Sequence, residues 1–437
     1  IGVSRHTGKN SFNILENFIN HGFSGDIYPV NPHSTEILGV KTYPRIKDIP
    51  GEIDLAVIST PRPIVLGIVQ ECIEKNIKAI VIVTQGFADA DEDGRALQDK
   101  IVHIARENGA RIIGPNSFGV ANAFIRLNTA FVPFEMEEIP VGVICQSGLF
   151  FQGLPNFILT GKAIQLGNCS DIGFTDALEY FETDREIEII LLHIEGIVEG
   201  RKFLEVARRV AKKKKIIVLK TGKSRAGAEA AQSHTGSLAG RDEVYNAVFE
   251  QCGIIRVNNS DKVVNILKAL HYLPPMRGRR IAVATVVYGA AAIAVDACEE
   301  YDLKMATLSP QTIQRIADLA PTWLTVANPV DLGGLNIRSM GMKTIMERVI
   351  HILLADSQVD ALFFIGPAGL TDIWDCLNII PQAAQDFKNK PVVSWLYGPY
   401  QHKFATKLEA ARNSVVFPTC EMAIWALSKL CDSIENQ

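Results

Sequence analysis

Strand-length apolar runs alternate with amphipathic stretches of helical period almost from one end of this chain to the other. That alternation confines it to parallel sheets with helices on both faces, because parallel neighbours need a crossover and a doubly covered strand must be apolar throughout. Residues 26–29, 55–59, 79–84 and 111–113 read as successive strands, with helical periodicity over 11–21, 63–75 and 94–108. The proline- and glutamate-rich stretch 132–140 reads as a linker. A second set opens with 141–145, continues through 187–193 and 215–220, and closes with a helix over 261–272. Two prolines and a glycine in 273–280 mark the next boundary, after which strands at 281–285, 359–365 and 392–395 lead to a final helix over 421–432. The expected organisation is three α/β domains, at 1–130, 138–272 and 278–437, which suits a length of 437 residues.

Composition narrows the function classes. Hydrophobic residues are 47% of the chain and charged residues 21%, a globular mixture. The longest apolar runs, such as 78–83 and 187–194, are strand-sized and too short to span a bilayer. A formal net charge of −4 offers no field for nucleic acid, so an anionic ligand must find local cations. The eight cysteines stand singly with no C-x-x-C pair, which argues for a reducing compartment and against disulfides or a structural zinc site. The chain opens on Ile1 against a glycine turn, so a short strand is expected upstream. With no targeting segment in view, the expected location is cytoplasmic.

Ligands of such sheets bind outside the carboxyl ends of the strands, where glycine turns let backbone amides meet them. The first such turn, Gly2-Val3-Ser4-Arg5-His6-Thr7-Gly8-Lys9, combines hydroxyls, a lysine and a following helix. It reads equally as an anion cradle or as an ordinary tight turn. It is not a P-loop, since five residues separate Gly2 from Gly8 and Asn10 replaces the magnesium-binding hydroxyl, nor is it G-x-G-x-x-G. Four more turns, at 28–32, 59–61, 84–87 and 114–117, are unremarkable singly, but all fall at the same edge of one sheet.

In the second set, 143–148 runs from a strand into a helix with Ser147 near its N-cap, a position that presents amides to an anion. A hydrolase elbow would need glycine where Cys145 stands. Small residues surround His234 across 226–240, so its ring is open to a bulky ligand, although a lone histidine is usually structural. Glu195 ends a strand at the same edge, where a carboxylate could hold one ring nitrogen protonated and leave the other nucleophilic. Asp171 reads as a helix cap or an active-site acid, and the lysines of 212–215 as a solvated helix end.

YPVNP, GPNSFG, QSGL, LGNCSDI, HIEGIVEGRKF, KTGKSRAGAEAAQSHTGSLAG and NPVDL follow one another along nearly the whole chain. In that order they resemble the CoA-ligase portion of the NDP-forming acyl-CoA synthetases, relatives of succinyl-CoA synthetase. The resemblance implies an N-terminal Rossmann-like CoA-binding domain followed by two flavodoxin-like domains. It implies coenzyme A contacts at Gly2, Ser4, Lys9, Asn31, Pro32, Ser59, Pro61, Thr84, Gln85 and Asn116. It further implies a phosphohistidine at His234, its acidic partner at Glu195, and phosphate held by Gln146, Ser147, Gly148 and Gly236, with a second phosphate-facing helix from the third domain. The implied reaction interconverts acyl-CoA, NDP and phosphate with carboxylic acid, CoA and NTP through acyl phosphate and phosphohistidine. No metal ligands are implied in this chain; nucleotide and Mg²⁺ would come with an ATP-grasp partner chain or domain in an oligomer. Val286 and Tyr288 stand where the family has Asn and Gly, and with Phe150 and Phe151 they predict a more apolar acyl pocket, suited to a larger or aromatic acid. The alternative is an inactive relative that senses CoA or acyl-CoA, or scaffolds another domain. A nicotinamide enzyme lacks its fingerprint.

Overall fold

Strands apolar on both sides take the interior of parallel sheets in this computed structural model. It describes all residues except 7, 9–12, 133, 149–150, 152–159, 228, 230–239, 370–373 and 436–437. The chain divides into two compact units, Ile1–Ser260 and Asp261–Gln437. Among the described residues no helix is long and apolar enough to cross a membrane.

The first unit opens with the helix Ile14–His21, capped by Asn13, and then a short hairpin, β1 (Glu36–Ile37) against β2 (Val40–Lys41). A parallel sheet follows, in the order β3 (Leu55–Ile58), β4 (Ala79–Ile82) and β5 (Arg111–Ile113). Helices Arg62–Glu74 and Glu92–Glu107 connect its strands. The first starts with a proline in its opening turn, where a missing N–H costs nothing. The second is capped by Asp91, which accepts from the Gly94 amide at 2.6 Å. Ile58, Val65, Val69, Ile82, Phe87, Ile101 and Ile112 form the core of this layer.

The expected strand at 26–29 does not form. Residues Pro29 and Pro32 each remove a ladder donor, and only Val30 makes a bridge, to Tyr43. The first residues run beside β3 instead: the Ser59 amide donates to Ile1 O at 2.9 Å and the Gly2 amide to Val30 O at 3.0 Å.

Seven strands make the second sheet, in the order β12 (Ile255–Val257), β11 (Lys215–Lys220), β10 (Ile189–Ile194), β8 (Val141–Cys145), β9 (Lys162–Gln165), β6 (Gly119–Asn122) and β7 (Leu127–Asn128). From β12 to β9 all neighbours are parallel. β6 and β7 leave the end of the first sheet and join this one antiparallel, β6 pairing Val120 with Ile164 of β9. The two sheets of the unit are therefore stitched by the main chain itself.

A clasp reinforces the stitch. Asp171 has a fully buried carboxylate that accepts from Arg106 Nε at 2.6 Å, from Arg111 Nε at 3.0 Å and from the Ile112 amide at 2.6 Å. It caps no helix, because the next one begins at Phe174 with Asp176 accepting from the Gly173 amide. Beside it Asn168 donates to Asp89 and to Gln98 on the first layer, at 2.8 and 3.0 Å. Gly167 makes the approach possible: at φ +58° a Cβ would lie 2.2 Å from Pro115 O.

The second unit holds one sheet in the order β14 (Lys304–Met305), β13 (Arg280–Thr285), β16 (Ala361–Pro367), β17 (Val392–Tyr397) and β18 (Val415–Phe417), with β15 (Val330–Asp331) also on β13. All its pairs are parallel. Asn328 of the NPVDL run completes the edge of β13, accepting from the Val283 amide and donating to Ile281 O and Ala306 O.

Removing the Asp171 carboxylate leaves the Ile112 amide buried without its acceptor and two arginines without their counter-charge. Asp171→Ala is expected to lower unfolding free energy by about 2–4 kcal/mol, and Asp171→Asn by about half of that, since one acceptor survives. Urea unfolding checks both. An unchanged midpoint in the alanine variant would remove the clasp from the stability of this unit.

Candidate functional site

The five turns at the edge of the first sheet touch one another in a chain. Gly2, at φ +80°, lies so close to Ser59 that a Cβ would sit 2.4 Å from its carbonyl oxygen. Asn31 donates its Nδ2 to Val3 O at 2.9 Å and accepts from the His33 amide at 2.8 Å, which fixes the Pro32 turn against the first one. Thr84 donates its hydroxyl to Thr60 O at 2.7 Å, and the Asn116 amide donates to Thr84 O at 2.9 Å. Gly2, Ser4, Asn31, Pro32, Ser59, Pro61, Thr84, Gln85 and Asn116 thus share one edge, with Gln85, Ser59, Pro61 and Pro32 exposed. A cradle that a single Cβ would fill suits a bulky ligand pressed against backbone. Lys9 lies outside the described residues, and Asn13 ties the described turn by donating to Ser4 O and His6 O at 3.0 and 3.1 Å.

The second edge is built from the carboxyl ends of β8, β10 and β11, which are neighbours in the sheet. Glu195 follows β10 directly and is buried. Its amide and that of Gly196 both donate to Gln146 Oε1, at 2.7 and 3.1 Å, and the Ile197 amide donates to Tyr245 Oη at 3.1 Å. Gln146 stands one residue past β8, with its own amide on His193 O at 3.3 Å. Gln165, at the end of β9, donates Nε2 to Gln146 O and accepts from the Phe118 amide at 2.8 Å. The Gln146 carboxamide is thus turned inward, and its position differs from the anion-facing one that the sequence suggests. Its other neighbour is the Cys169 thiol, which burial pushes up to about 12.

From β11 the buried Lys220 sends its ammonium over the Tyr245 ring, 4.7 Å from the centroid, and donates to Thr221 O. Burial pulls its pKa down, and Asp242 and Glu195 oppose the shift. Gly148 has room for no side chain, since a Cβ would meet the Phe118 ring at 2.7 Å. Ser147 is half-buried beside it. His234 and Gly236 lie outside the described residues, as does most of the helix expected after Ser147. Phe151 is buried against Phe118 and Phe134, so it belongs to the core and not to an acyl pocket; Phe150 is outside the described residues.

Gln165, Lys220 and Tyr245 are the residues that motif reading left unassigned. Their tasks depend on which strands become neighbours, and no spacing in the sequence signals that. Among the described residues no three His, Cys, Asp or Glu side chains gather as a metal site. In the second unit the helix Gly289–Glu300 begins directly after Tyr288, which is exposed at a cavity of about 350 Å³ shared with Leu324, Val326 and Asp331. Val286 packs against the core of that unit.

A first layer ending in a glycine-turn cradle, followed by a sheet in which β10 runs into a clamped glutamate, defines a succinyl-CoA ligase-like protein. Residues 1–123 match the CoA binding domain, and residues 139–270 match the succinyl-CoA ligase like flavodoxin domain. The alpha subunit of ADP-forming acetate–CoA ligase II from Pyrococcus furiosus is 36% identical over 93% of this chain and 90% of its own length. The alpha subunit of ligase I from the same organism is 34% identical over 98% and 94%. The solved structure of acetyl-coenzyme A synthetase 1 from Ca. Korarchaeum cryptofilum, in complex with phosphate and ADP, matches with a TM-score of 0.89 at 32% identity, covering 98% of this chain and 94% of that one. The chain belongs to the ADP-forming CoA ligases, a family of acid–thiol ligases.

His193, two residues before Glu195, is buried and its imidazole is pulled down to about 4, first by burial and then by the Lys220 charge. The unfolded chain binds a proton near the ordinary value of about 6.5, so between pH 6.5 and 4 it takes up a proton that the folded chain does not. The contribution is complete above about pH 6.5 and is lost as pH falls toward 4, by up to about 3 kcal/mol. His193→Gln is expected to flatten this part of the stability profile measured by urea unfolding. An acid slope identical to wild type would show that the folded imidazole titrates normally.

Proposed function

We propose that this chain is the CoA-ligase subunit of an NDP-forming acyl-CoA ligase, acting with an ATP-grasp partner that supplies the nucleotide site and Mg²⁺. Two findings support the reading: membership of the family, and a buried glutamate whose backbone is tied to its own sheet at the edge where His234 is expected. Gly2, Ser4, Lys9, Asn31, Pro32, Ser59, Pro61, Thr84, Gln85 and Asn116 would hold coenzyme A, which supplies the thiol of the thioester. Phosphate attacks the thioester carbonyl, the C–S bond breaks, and an acyl phosphate forms. The His234 imidazole, neutral and with its far N–H held by the Glu195 carboxylate, then attacks phosphorus, and the carboxylic acid leaves as its anion. Ser147, Gly148 and Gly236 would stabilise the transferred group with main-chain amides, since in-line phosphoryl transfer asks mainly for positioning and charge stabilisation. The phosphohistidine finally gives its phosphoryl group to NDP on the partner. Gln146 has no part in holding phosphate in this scheme.

His234→Ala is expected to abolish acid-labile labelling, both from NTP with the partner and from acyl-CoA with phosphate. Glu195→Gln is expected to cut labelling about 100-fold while leaving CoA binding intact, because it disturbs ring tautomer and orientation alone. Mass spectrometry at neutral pH locates the phosphate. Label elsewhere, in a protein whose His234→Ala variant stays active, would overturn the mechanism.

Substrate choice follows from the second unit. Tyr288 and Val286 make the region before the helix Gly289–Glu300 apolar, which favours a larger or aromatic acid over acetate. A panel of acids assayed with the partner checks this; acetate as the best substrate would remove both side chains from the acyl site.

A further inference from the structure

Three successive main-chain amides, those of Glu195, Gly196 and Ile197, are captured by two side-chain oxygens from other elements. Gln146 Oε1 takes the first two at 2.7 and 3.1 Å, and Tyr245 Oη takes the third at 3.1 Å. Each captor is itself fixed. Gln146 is buried, with its carbonyl bonded by Gln165 Nε2 and its amide bonded to His193 O; Gln165 in turn accepts from the Phe118 amide. Tyr245 lies under the Lys220 ammonium, packs on Phe249 at 6.0 Å between ring centroids, and also receives the Gly240 amide.

We infer that Gln146 and Tyr245 are positioning residues for Glu195, setting the path of the chain as it leaves β10 and hence the direction of its carboxylate. A carboxylate that orients an imidazole must be held to within about 0.5 Å, and a loop end achieves that only with outside support. Two oxygens, one from the end of β8 and one from the helix Asp242–Gln251, hold this loop end from both sides. The same helix residue that fixes the Glu195 loop also binds Gly240, the first described residue after the segment carrying His234. Tyr245 therefore ties together the two pieces of chain on which the proposed acid–imidazole pair is carried. Neither side chain is assigned to substrate, so both act through Glu195, and the inference rests on the proposed role of that residue.

Tyr245→Phe removes one oxygen and keeps the ring; Gln146→Met removes the acceptor at similar length. With the partner present, each is expected to slow histidine labelling and kcat about tenfold or more while the KM for CoA stays within about twofold. Hydrogen exchange followed by mass spectrometry on the peptide 193–198 is expected to speed up in both variants. Labelling and kcat within about twofold of wild type in both variants, or unchanged exchange in this peptide, would overturn the inference. A wild-type protein that never carries phosphohistidine would instead sink the Glu195–His234 reading, and exchange alone would then decide whether the two oxygens hold the loop.

Discussion

A carboxylate with no exposed surface is costly unless every lone pair is engaged, and Asp171 is such a carboxylate. Two guanidiniums and the first interior amide of β5 converge on it, so the last strand of one sheet and the loop leaving another cannot shift independently. Around it, Gly167 lets the loop lie against the Pro115 and Asn116 carbonyls, and Asn168 reaches across to Asp89. The GPNSFG and LGNCSDI runs are thus two halves of one joint. Their short, polar, glycine-bearing composition follows from the closeness of two backbones.

From that joint a line of buried hydrogen bonds runs into the second sheet. The Phe118 amide, in the turn after β5, meets Gln165; Gln165 meets Gln146; Gln146 meets the amides after β10. Gln165 spends both the donor and the acceptor of its carboxamide on this line, and Gln146 joins it through its main-chain oxygen and its Oε1, an arrangement suited to linking strand ends whose spacing is fixed by the sheet. The cradle turns and the glutamate edge stand on opposite ends of this line within one unit.

Much of the architecture was legible because strand-length apolar runs and helical periods are local properties. The runs at 111–113, 141–145 and 215–220 are strands with those bounds, and the turn motifs do gather at one edge. The run at 26–29 misleads because Ile27 and Tyr28 suit a strand, whereas Pro29 within it and Pro32 beyond it cannot donate to a ladder. β6 and β7 carry no apolar run at all; their pairing is set by the reach of the chain after Pro115. Asp171 reads from its neighbours as a helix cap or an active-site acid, because the partners that fix it lie some sixty residues upstream. Its place in QSGL suggests an anion-facing Gln146, whereas the direction of its side chain depends on β10, which comes alongside β8 only through folding. Local chemistry was readable; adjacency was not.

The antiparallel pair β6–β7 has a consequence for taking the molecule apart. By position in the chain these strands follow directly on the first layer, yet β6 is paired to β9 of the second sheet and β7 reaches that sheet through β6. A fragment ending near residue 130 would carry a lone two-stranded ribbon cut off from its sheet, and its complement would present the bare edge of β9 to any passing chain. Modular dissection along the sequence would therefore manufacture two sticky pieces from one well-behaved body. Evolution faces the same obstacle: shuffling the first layer onto a new partner requires moving a seam that lies inside a sheet, not between domains.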